Sequence, residues 1–358
     1  MIRLLVVEDS KTVQQALVAA FNADPEIQVV GTAESGEKAV SLARSLGPDI
    51  ITMDINLTGM DGFQATRAIM SSCPVPIVIV TGKLDPRDSE TLFRVMEAGA
   101  LMVLAKPVPV GTPEHAESVA RLVQHVKLMS EIKVVRRTFP ASLAGVASPF
   151  APPLPLPRVA APIKVVAIGA STGGPPLLHR ILGALPVDFG AAVLVVQHMA
   201  DGFTENFVHW LNQGSPLPVR LAVSGMRISP GQVYVAPDGF HMEMGPGECI
   251  ALSKAPPENG VRPAVSALFR SVALRCGSQG AGVLLTGMGS DGAQGLKALR
   301  DLGAITIAQD RESSVVFGMP AEAIRLKAAL YILPPEGIIE LLMRLVNARR
   351  APGLPPAA

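Results

Sequence analysis

Short apolar runs at residues 2–7, 27–30, 50–53, 75–80 and 101–104 alternate with stretches at 12–22, 37–45 and 61–71, where apolar positions recur every three to four residues. Runs this short, flanked by turn residues, fit strands buried on both faces, and the intervening stretches fit amphipathic helices. The pattern predicts a βα repeat: a five-stranded parallel sheet with crossover helices, closed by a helix over 113–130. Between residues 131 and 162 it gives way to Pro, Ala and Ser, including Pro140, Pro149, Pro152, Pro153, Pro155, Pro157 and Pro162, which support neither a helix interior nor a sheet ladder. A linker follows from that composition. Beyond it the βα rhythm resumes, with strands expected at 163–168, 191–196, 232–236, 282–286 and 304–308 and helices at 175–185, 204–213, 264–276, 292–302 and 338–348. Gly245-Pro246-Gly247 between His241-Met242-Glu243-Met244 and residues 250–252 predicts an inserted hairpin.

Composition narrows the classes. At 358 residues the chain is long for one core. We expect a first domain over residues 1–125, a linker over 126–162 and a second domain over 163–350. Hydrophobic residues make up 49% and aromatics only 4%, so the cores must be built of Val, Ile, Leu, Ala and Met, which favours α/β layers. Thirty-one basic residues against 30 acidic ones give no electrostatic reason to expect nucleic acid or an anionic membrane surface as partner. No apolar stretch reaches the ~18 residues a membrane span needs, and Glu8 and Asp9 arrive too soon for a signal peptide. Cys73, Cys249 and Cys276 are odd in number and widely spaced, as expected of free thiols in a reducing compartment, so a cytoplasmic protein that is not membrane-inserted is expected.

Candidate chemistry falls at the predicted strand ends. Glu8 and Asp9 follow the first strand, Asp54 the third, Thr81 the fourth and Lys106 the fifth. Parallel topology brings these ends together. Surface acids at strand ends are common in α/β proteins, but three converging carboxylates repel unless a hard cation neutralises them, and Mg²⁺ suits that donor set. Lys106 supplies charge for an incoming phosphoryl group.

In the second half, Gly169-Ala170-Ser171-Thr172-Gly173 reads G-x-S-x-G directly after a predicted strand, which puts a serine hydroxyl on a tight strand-to-helix turn. The same motif fits a plain βα connection or a phosphate cradle. A dinucleotide site is the sharper rival, but the spacing G-x-G-x-x-G is missing and the next strand ends in Gln197-His198 where a ribose would want an acid. A serine nucleophile needs an imidazole base and an orienting carboxylate. His198 and Asp291 each follow a strand of their own, as Ser171 does, and Gly287 to Gly292 form a Gly-rich loop able to present backbone N–H groups to an oxyanion. His115, His125, His179 and His209 fall on helical patterns and are expected to be structural; His241 is a candidate for the cleft rim.

Residues 1 to about 125 resemble the receiver domain of bacterial two-component response regulators, with a flavodoxin-like (CheY-like) fold. The resemblance implies that Asp54 accepts a phosphoryl group, that Glu8, Asp9 and Asp54 hold Mg²⁺ with the main-chain carbonyl of Asn56, and that Thr81 and Lys106 engage the phosphate. Leu57-Thr58 and Val103 depart from the family pattern, which usually has Met-Pro and an aromatic there.

The whole chain, through about residue 348, resembles the chemotaxis response regulator protein-glutamate methylesterase (CheB) family. The residues that carry this are Gly169-Ala170-Ser171-Thr172-Gly173-Gly174, Gln197-His198-Met199, Gly202-Phe203-Thr204, Ala236-Pro237-Asp238-Gly239, Leu285-Thr286-Gly287-Met288-Gly289 and Gly318-Met319-Pro320. It implies a doubly wound, mostly parallel α/β catalytic domain with Ser171 as nucleophile, His198 as base and Asp291 as orienting acid. The Met288 main-chain N–H and Thr172 would lie near the oxyanion, and no cofactor is needed there. The implied activity is phosphorylation-controlled hydrolysis of glutamate methyl esters, and deamidation of glutamine, in methyl-accepting chemoreceptors, with a histidine kinase as phosphodonor. Ser266 stands where the family commonly has an acid, a position expected to bear on substrate contacts at the rim. Two other readings fit the same chain: a response regulator whose second half only binds a partner, and the same esterase in a pathway outside chemotaxis.

Overall fold

The computed structural model describes residues 1–82, 94–132, 134, 162–199 and 202–347. The chain divides into two compact units, Met1–Pro149 and Phe150–Ala358.

In the first unit, β1 (Ile2–Val7), α1 (Lys11–Asn22), β2 (Ile27–Ala33), α2 (Gly36–Leu46), β3 (Ile50–Met53), α3 (Gly62–Ser72), β4 (Ile77–Thr81), β5 (Met102–Ala105) and α4 (His115–Ser130) follow one another as the hydrophobic pattern predicts. All strand pairings are parallel, in the order β2-β1-β3-β4-β5. The middle strands are wholly buried, Ile50 to Met53 and Ile77 to Thr81 without exception, which is why they are apolar but for Thr52 and the terminal Thr81. Caps mark the helix starts: Ser35 accepts from the Lys38 N–H and Asp61 from the Gln64 N–H. Helix α4 continues past residue 125, where the first domain's end is expected from sequence. Most of the expected linker, residues 133 and 135–161, lies outside the described residues.

The second unit opens with β6 (Val165–Ala170), α5 (Gly174–Gly183), β7 (Ala192–Gln197), α6 (Thr204–Gly214), β8 (Val219–Leu221) and β9 (Val233–Val235). After β9 come the hairpin β10 (His241–Met244) and β11 (Ile250–Ser253), then α7 (Val265–Cys276), β12 (Gly280–Leu284) and α8 (Ala293–Asp301). The remaining elements are β13 (Ile305–Gln309), α9 (Met319–Arg325), β14 (Tyr331–Leu333) and α10 (Pro335–Asn347). Seven strands form one parallel sheet, β14-β13-β12-β6-β7-β9-β8, and the predicted hairpin pairs antiparallel beside it. Three elements have no counterpart in the sequence expectation: the strands β8 and β14, each three residues long and at a sheet edge, and α9, whose seven residues are too few to show a helical period.

Both sheets reverse their direction of growth once. In the first, β1 lies between β2 and β3; in the second, β6 lies between β12 and β7. At such a reversal the connections leave the adjacent strand ends in opposite directions and open a crevice, the usual place for ligands in open α/β sheets.

Candidate active site

At the reversal point of the first sheet, Glu8 and Asp9 follow β1 and Asp54 follows β3. Their carboxylate oxygens lie within 4.8 Å of one another. Glu8 and Asp54 are buried and Asp9 is exposed. The Lys106 ammonium, from the loop after β5, reaches Glu8 Oε2 at 2.6 Å and Asp54 Oδ2 at 2.7 Å. The Lys106 N–H donates to the carbonyl of Thr81, the buried last residue of β4. Burial, the largest influence, holds the Glu8 carboxyl above its usual range with help from the like charge of Asp54, while Lys106 works against it. Burial alone would lower the Lys106 ammonium; its bonds to Asp54 and Glu8 override that and hold it above its ordinary value. Glu8 Oε2 has the ammonium beside it yet takes no well-directed hydrogen bond. A half-neutralised carboxylate pair with one exposed carboxylate at its mouth fits a hard divalent cation. Asn56 is exposed in the loop that follows, Leu57 is half-buried, Thr58 pairs in register with Ser35, and Val103 is buried in β5.

The second reversal point holds the other predicted residues. Ser171 immediately follows β6, and its N–H donates to the Thr286 carbonyl at 3.0 Å. Gly173 has φ 79°, a left-handed value that lets the chain turn from β6 straight into α5. On the neighbouring strand Gln197 pairs with Ala170, and the His198 N–H donates to the Ala170 carbonyl at 3.0 Å, so His198 stands directly beside the serine turn. From the other side, the loop after β12 passes so closely that a Cβ on Gly287 would sit 2.7 Å from Ser171 Cβ and 2.3 Å from Met319 Sδ. Only glycine fits there.

Asp291, at the far end of that loop, is 3% exposed, and its Oδ2 lies 3.0 Å from His198 Nε2. Both of its oxygens are saturated. Oδ2 also accepts from the Val265 N–H at 2.6 Å, while Oδ1 accepts from Ser266 N–H at 3.1 Å, Gly292 N–H at 2.8 Å and Asn259 Nδ2 at 3.2 Å. Burial opposes ionisation of this carboxyl. The bonds and charge of His198, with those of Ser266 and Val265, prevail and hold it far below the usual carboxylate range. An ionised Asp291 only accepts, so His198 Nε2 carries the proton and Nδ1 is left as the basic nitrogen. Among the described residues the Ser171 hydroxyl makes no hydrogen bond, and neither does the Met288 N–H in the Gly-rich loop. Thr172 is buried, with its carbonyl accepting from Thr286 Oγ1.

Two expectations are corrected by these positions. Ser266 is not at a rim: it is buried beneath Asp291, its N–H on Oδ1 and its Oγ accepting from the Gly292 N–H at 2.8 Å. A carboxylate there would face Asp291 directly. His241 is likewise buried, with Nε2 on the Pro256 carbonyl and Nδ1 accepting from the Ala264 N–H, which leaves neither nitrogen for chemistry. Of the helical histidines, His179 stacks on Trp210, with ring centres 4.3 Å apart, while His115 and His125 each hold a backbone carbonyl. Asn259 was not foreseen. Its only trace in the sequence is Asn259-Gly260, a turn signal, and its φ of 53° is the left-handed value that signal favours.

Known proteins resemble this chain in sequence along nearly its whole length. Residues 166–342 match the CheB methylesterase family and residues 4–114 the response regulator receiver domain. The protein-glutamate methylesterase/protein-glutamine glutaminase 4 of Geobacter metallireducens is 52% identical over 351 residues, covering 96% of this chain and 99% of that one. The protein-glutamate methylesterase/protein-glutamine glutaminase of Nitrosospira multiformis is 48% identical, covering 98% of each. Among solved structures, the CheB methylesterase catalytic domain of Thermotoga maritima is 41% identical with a TM-score of 0.50, covering 51% of this chain and 99% of that one. With relatives this similar along nearly its full length, the chain belongs to the CheB methylesterase family and carries a response regulator receiver domain ahead of the catalytic one.

Proposed function

We propose that the protein is a phosphorylation-activated protein-glutamate methylesterase and protein-glutamine deamidase. Residues 1–125 would serve as receiver, 126–162 as linker and 163–350 as catalytic domain. The observation that carries the reading is the His198–Asp291 pair at 3.0 Å on the strand end next to Ser171. A buried, ionised acid bonded to an imidazole is hard to explain in a module that only binds.

The residues then divide the work as follows. His198 Nδ1 takes the Ser171 hydroxyl proton as Oγ attacks the side-chain carbonyl of a methyl-esterified glutamate. Asp291 holds the imidazole in the tautomer this requires and stabilises the imidazolium. The oxyanion forms toward the Met288 N–H and the Thr172 turn. The C–O bond to methanol breaks, with the His198 proton going to the leaving oxygen. A water molecule, deprotonated by His198, attacks the acyl-enzyme, and the glutamate carboxylate leaves as Ser171 recovers its proton. With a glutamine side chain the leaving group is ammonia. The substrates we assign are methyl-accepting chemoreceptors, and the setting is cytoplasmic; among the described residues no helix is long and apolar enough to cross a membrane.

In the receiver, Asp54 would accept the phosphoryl group from a histidine kinase, with Glu8, Asp9, Asp54 and the Asn56 carbonyl holding Mg²⁺ and Thr81 and Lys106 meeting the phosphate. The cation, when bound, neutralises the clustered carboxylates and the phosphoryl oxygens. Supplying a small-molecule phosphodonor with Mg²⁺ should raise esterase activity roughly 5- to 150-fold, the range of a coupling free energy of about 1–3 kcal/mol. The rise should vanish in Asp54→Asn and on chelation of Mg²⁺; a rise that survives in Asp54→Asn removes Asp54 as phosphoacceptor.

The activity itself is tested with a receptor fragment carrying glutamate methyl esters and its glutamine counterpart. Methanol and ammonia should be released respectively, and each fragment should inhibit turnover of the other competitively. Release of neither product would overturn the reading.

A further inference from the structure

We propose that Gln197 is a positioning residue that ties the nucleophile's turn to the base's turn. This inference rests on the reading of Ser171 and His198 given above. The Gln197 Nε2 group donates to the Ser171 carbonyl at 2.9 Å and to the His198 carbonyl at 2.8 Å. Among the described residues it is the one side chain bonded to both. Its orientation follows from its partners: the flipped amide would set an oxygen against two carbonyl oxygens.

The other end of the amide makes the case specific. Gln197 Oε1 is buried and has no hydrogen-bond partner among the described residues, and the residue as a whole is 5% exposed. Gly174 lies against it, so closely that a Cβ at that position would come within 2.2 Å of Oε1. An unmatched buried acceptor is costly, and an apolar side chain of similar length would avoid it. If residue 197 only filled space, Leu or Met would serve better.

What the amide supplies is its donor end. Ser171 and His198 each follow a strand of their own, and among the described residues no direct bond joins the hydroxyl to the imidazole. The relative setting of their side chains therefore depends on their backbones. Gln197 fixes both carbonyls to one planar group, which limits how far the two turns move apart while a proton passes between Oγ and Nδ1. Displacements of about 1 Å in such a pair are enough to cost on the order of 100-fold in rate.

The test uses the full-length chain and a synthetic helical peptide bearing one glutamate γ-methyl ester, with methanol release as the assay. Gln197→Leu and Gln197→Met are compared with the parent and with Ser171→Ala. We expect kcat to fall about 10- to 100-fold in both Gln197 variants, with KM within about 2-fold, both variants folded with a modestly lowered melting temperature because the His198 carbonyl loses its donor, and labelling by a fluorophosphonate slowed in parallel. Parental kcat in both variants, alongside an inactive Ser171→Ala, overturns the role of Gln197 and leaves the nucleophile standing. Full activity in Ser171→Ala instead overturns the underlying reading. Loss of folding in both Gln197 variants makes the residue a core residue and overturns the inference as well.

Discussion

Ser171→Ala should abolish methanol and ammonia release together, by a factor on the order of 10⁵ to 10⁶, because both products require the same acyl-enzyme. The change removes one oxygen from a half-buried side chain that makes no hydrogen bond among the described residues, while the turn is held by the Ser171 N–H on Thr286, the His198 N–H on Ala170 and Gln197 on the Ser171 carbonyl. Stability should therefore move by no more than about 0.5 kcal/mol. The large loss of rate at nearly constant melting temperature separates a nucleophile from a structural serine. Methanol release at the parental rate from Ser171→Ala would sink the assignment.

How much of this was written in the sequence differs between the two ends of each strand. The strand interiors were legible because parallel strands covered on both faces are almost wholly apolar, as Val165 to Ala170 and, but for Thr52, Ile50 to Met53 are. Once those runs were placed, topology alone brought Glu8, Asp9, Asp54 and Lys106 together, and likewise Ser171, His198 and Asp291. Each of these lies at or shortly beyond the carboxyl end of a strand, and parallel strands share their ends. The short edge strands β8 and β14 escaped because Val219–Leu221 and Tyr331–Leu333 need cover only on one side and leave too few residues for any period to show.

The residues that support the site were less visible for a different reason. Asn259, Ser266 and Gln197 act through hydrogen bonds that mostly reach groups distant in sequence: 32 and 25 residues separate Asn259 and Ser266 from Asp291, and 26 separate Gln197 from Ser171. None belongs to a residue type that announces chemistry. Sequence alone places Ser266 at the substrate's edge, whereas it is buried under the acid, and His241 at the rim, whereas two backbone groups hold both of its nitrogens. Loop conformation between 254 and 264 decides these positions. A bidentate ion pair from Arg270 to Glu258, at 2.5 and 2.7 Å, and bonds from Arg262 to the Lys254 and Ala255 carbonyls fix that loop, and neither is written in a local pattern.

Asp291→Asn should lower kcat on the order of 10⁴-fold while keeping shape and volume. Three donors converge on Oδ1, so the asparagine oxygen must take that side and its NH₂ must replace Oδ2. There it meets the Val265 N–H, donor against donor, and it faces His198 Nε2, which must now accept. The imidazole proton is thereby driven to Nδ1, the nitrogen that has to receive the Ser171 proton, and the base is lost. The orphaned Val265 N–H should cost about 1–3 kcal/mol. The pH dependence carries a sign that checks the same carboxylate. Asp291 is held below its ordinary value in the folded protein, so the stability it contributes is complete above the unfolded carboxylate value of about 3.9 and is lost as pH falls below it. The melting temperature of Asp291→Asn should accordingly lie furthest below the parent's above pH ~5 and converge on it in acid. A variant that keeps the parental kcat, or whose stability deficit grows as the pH is lowered, would show that Asp291 neither orients His198 nor is ionised where it lies.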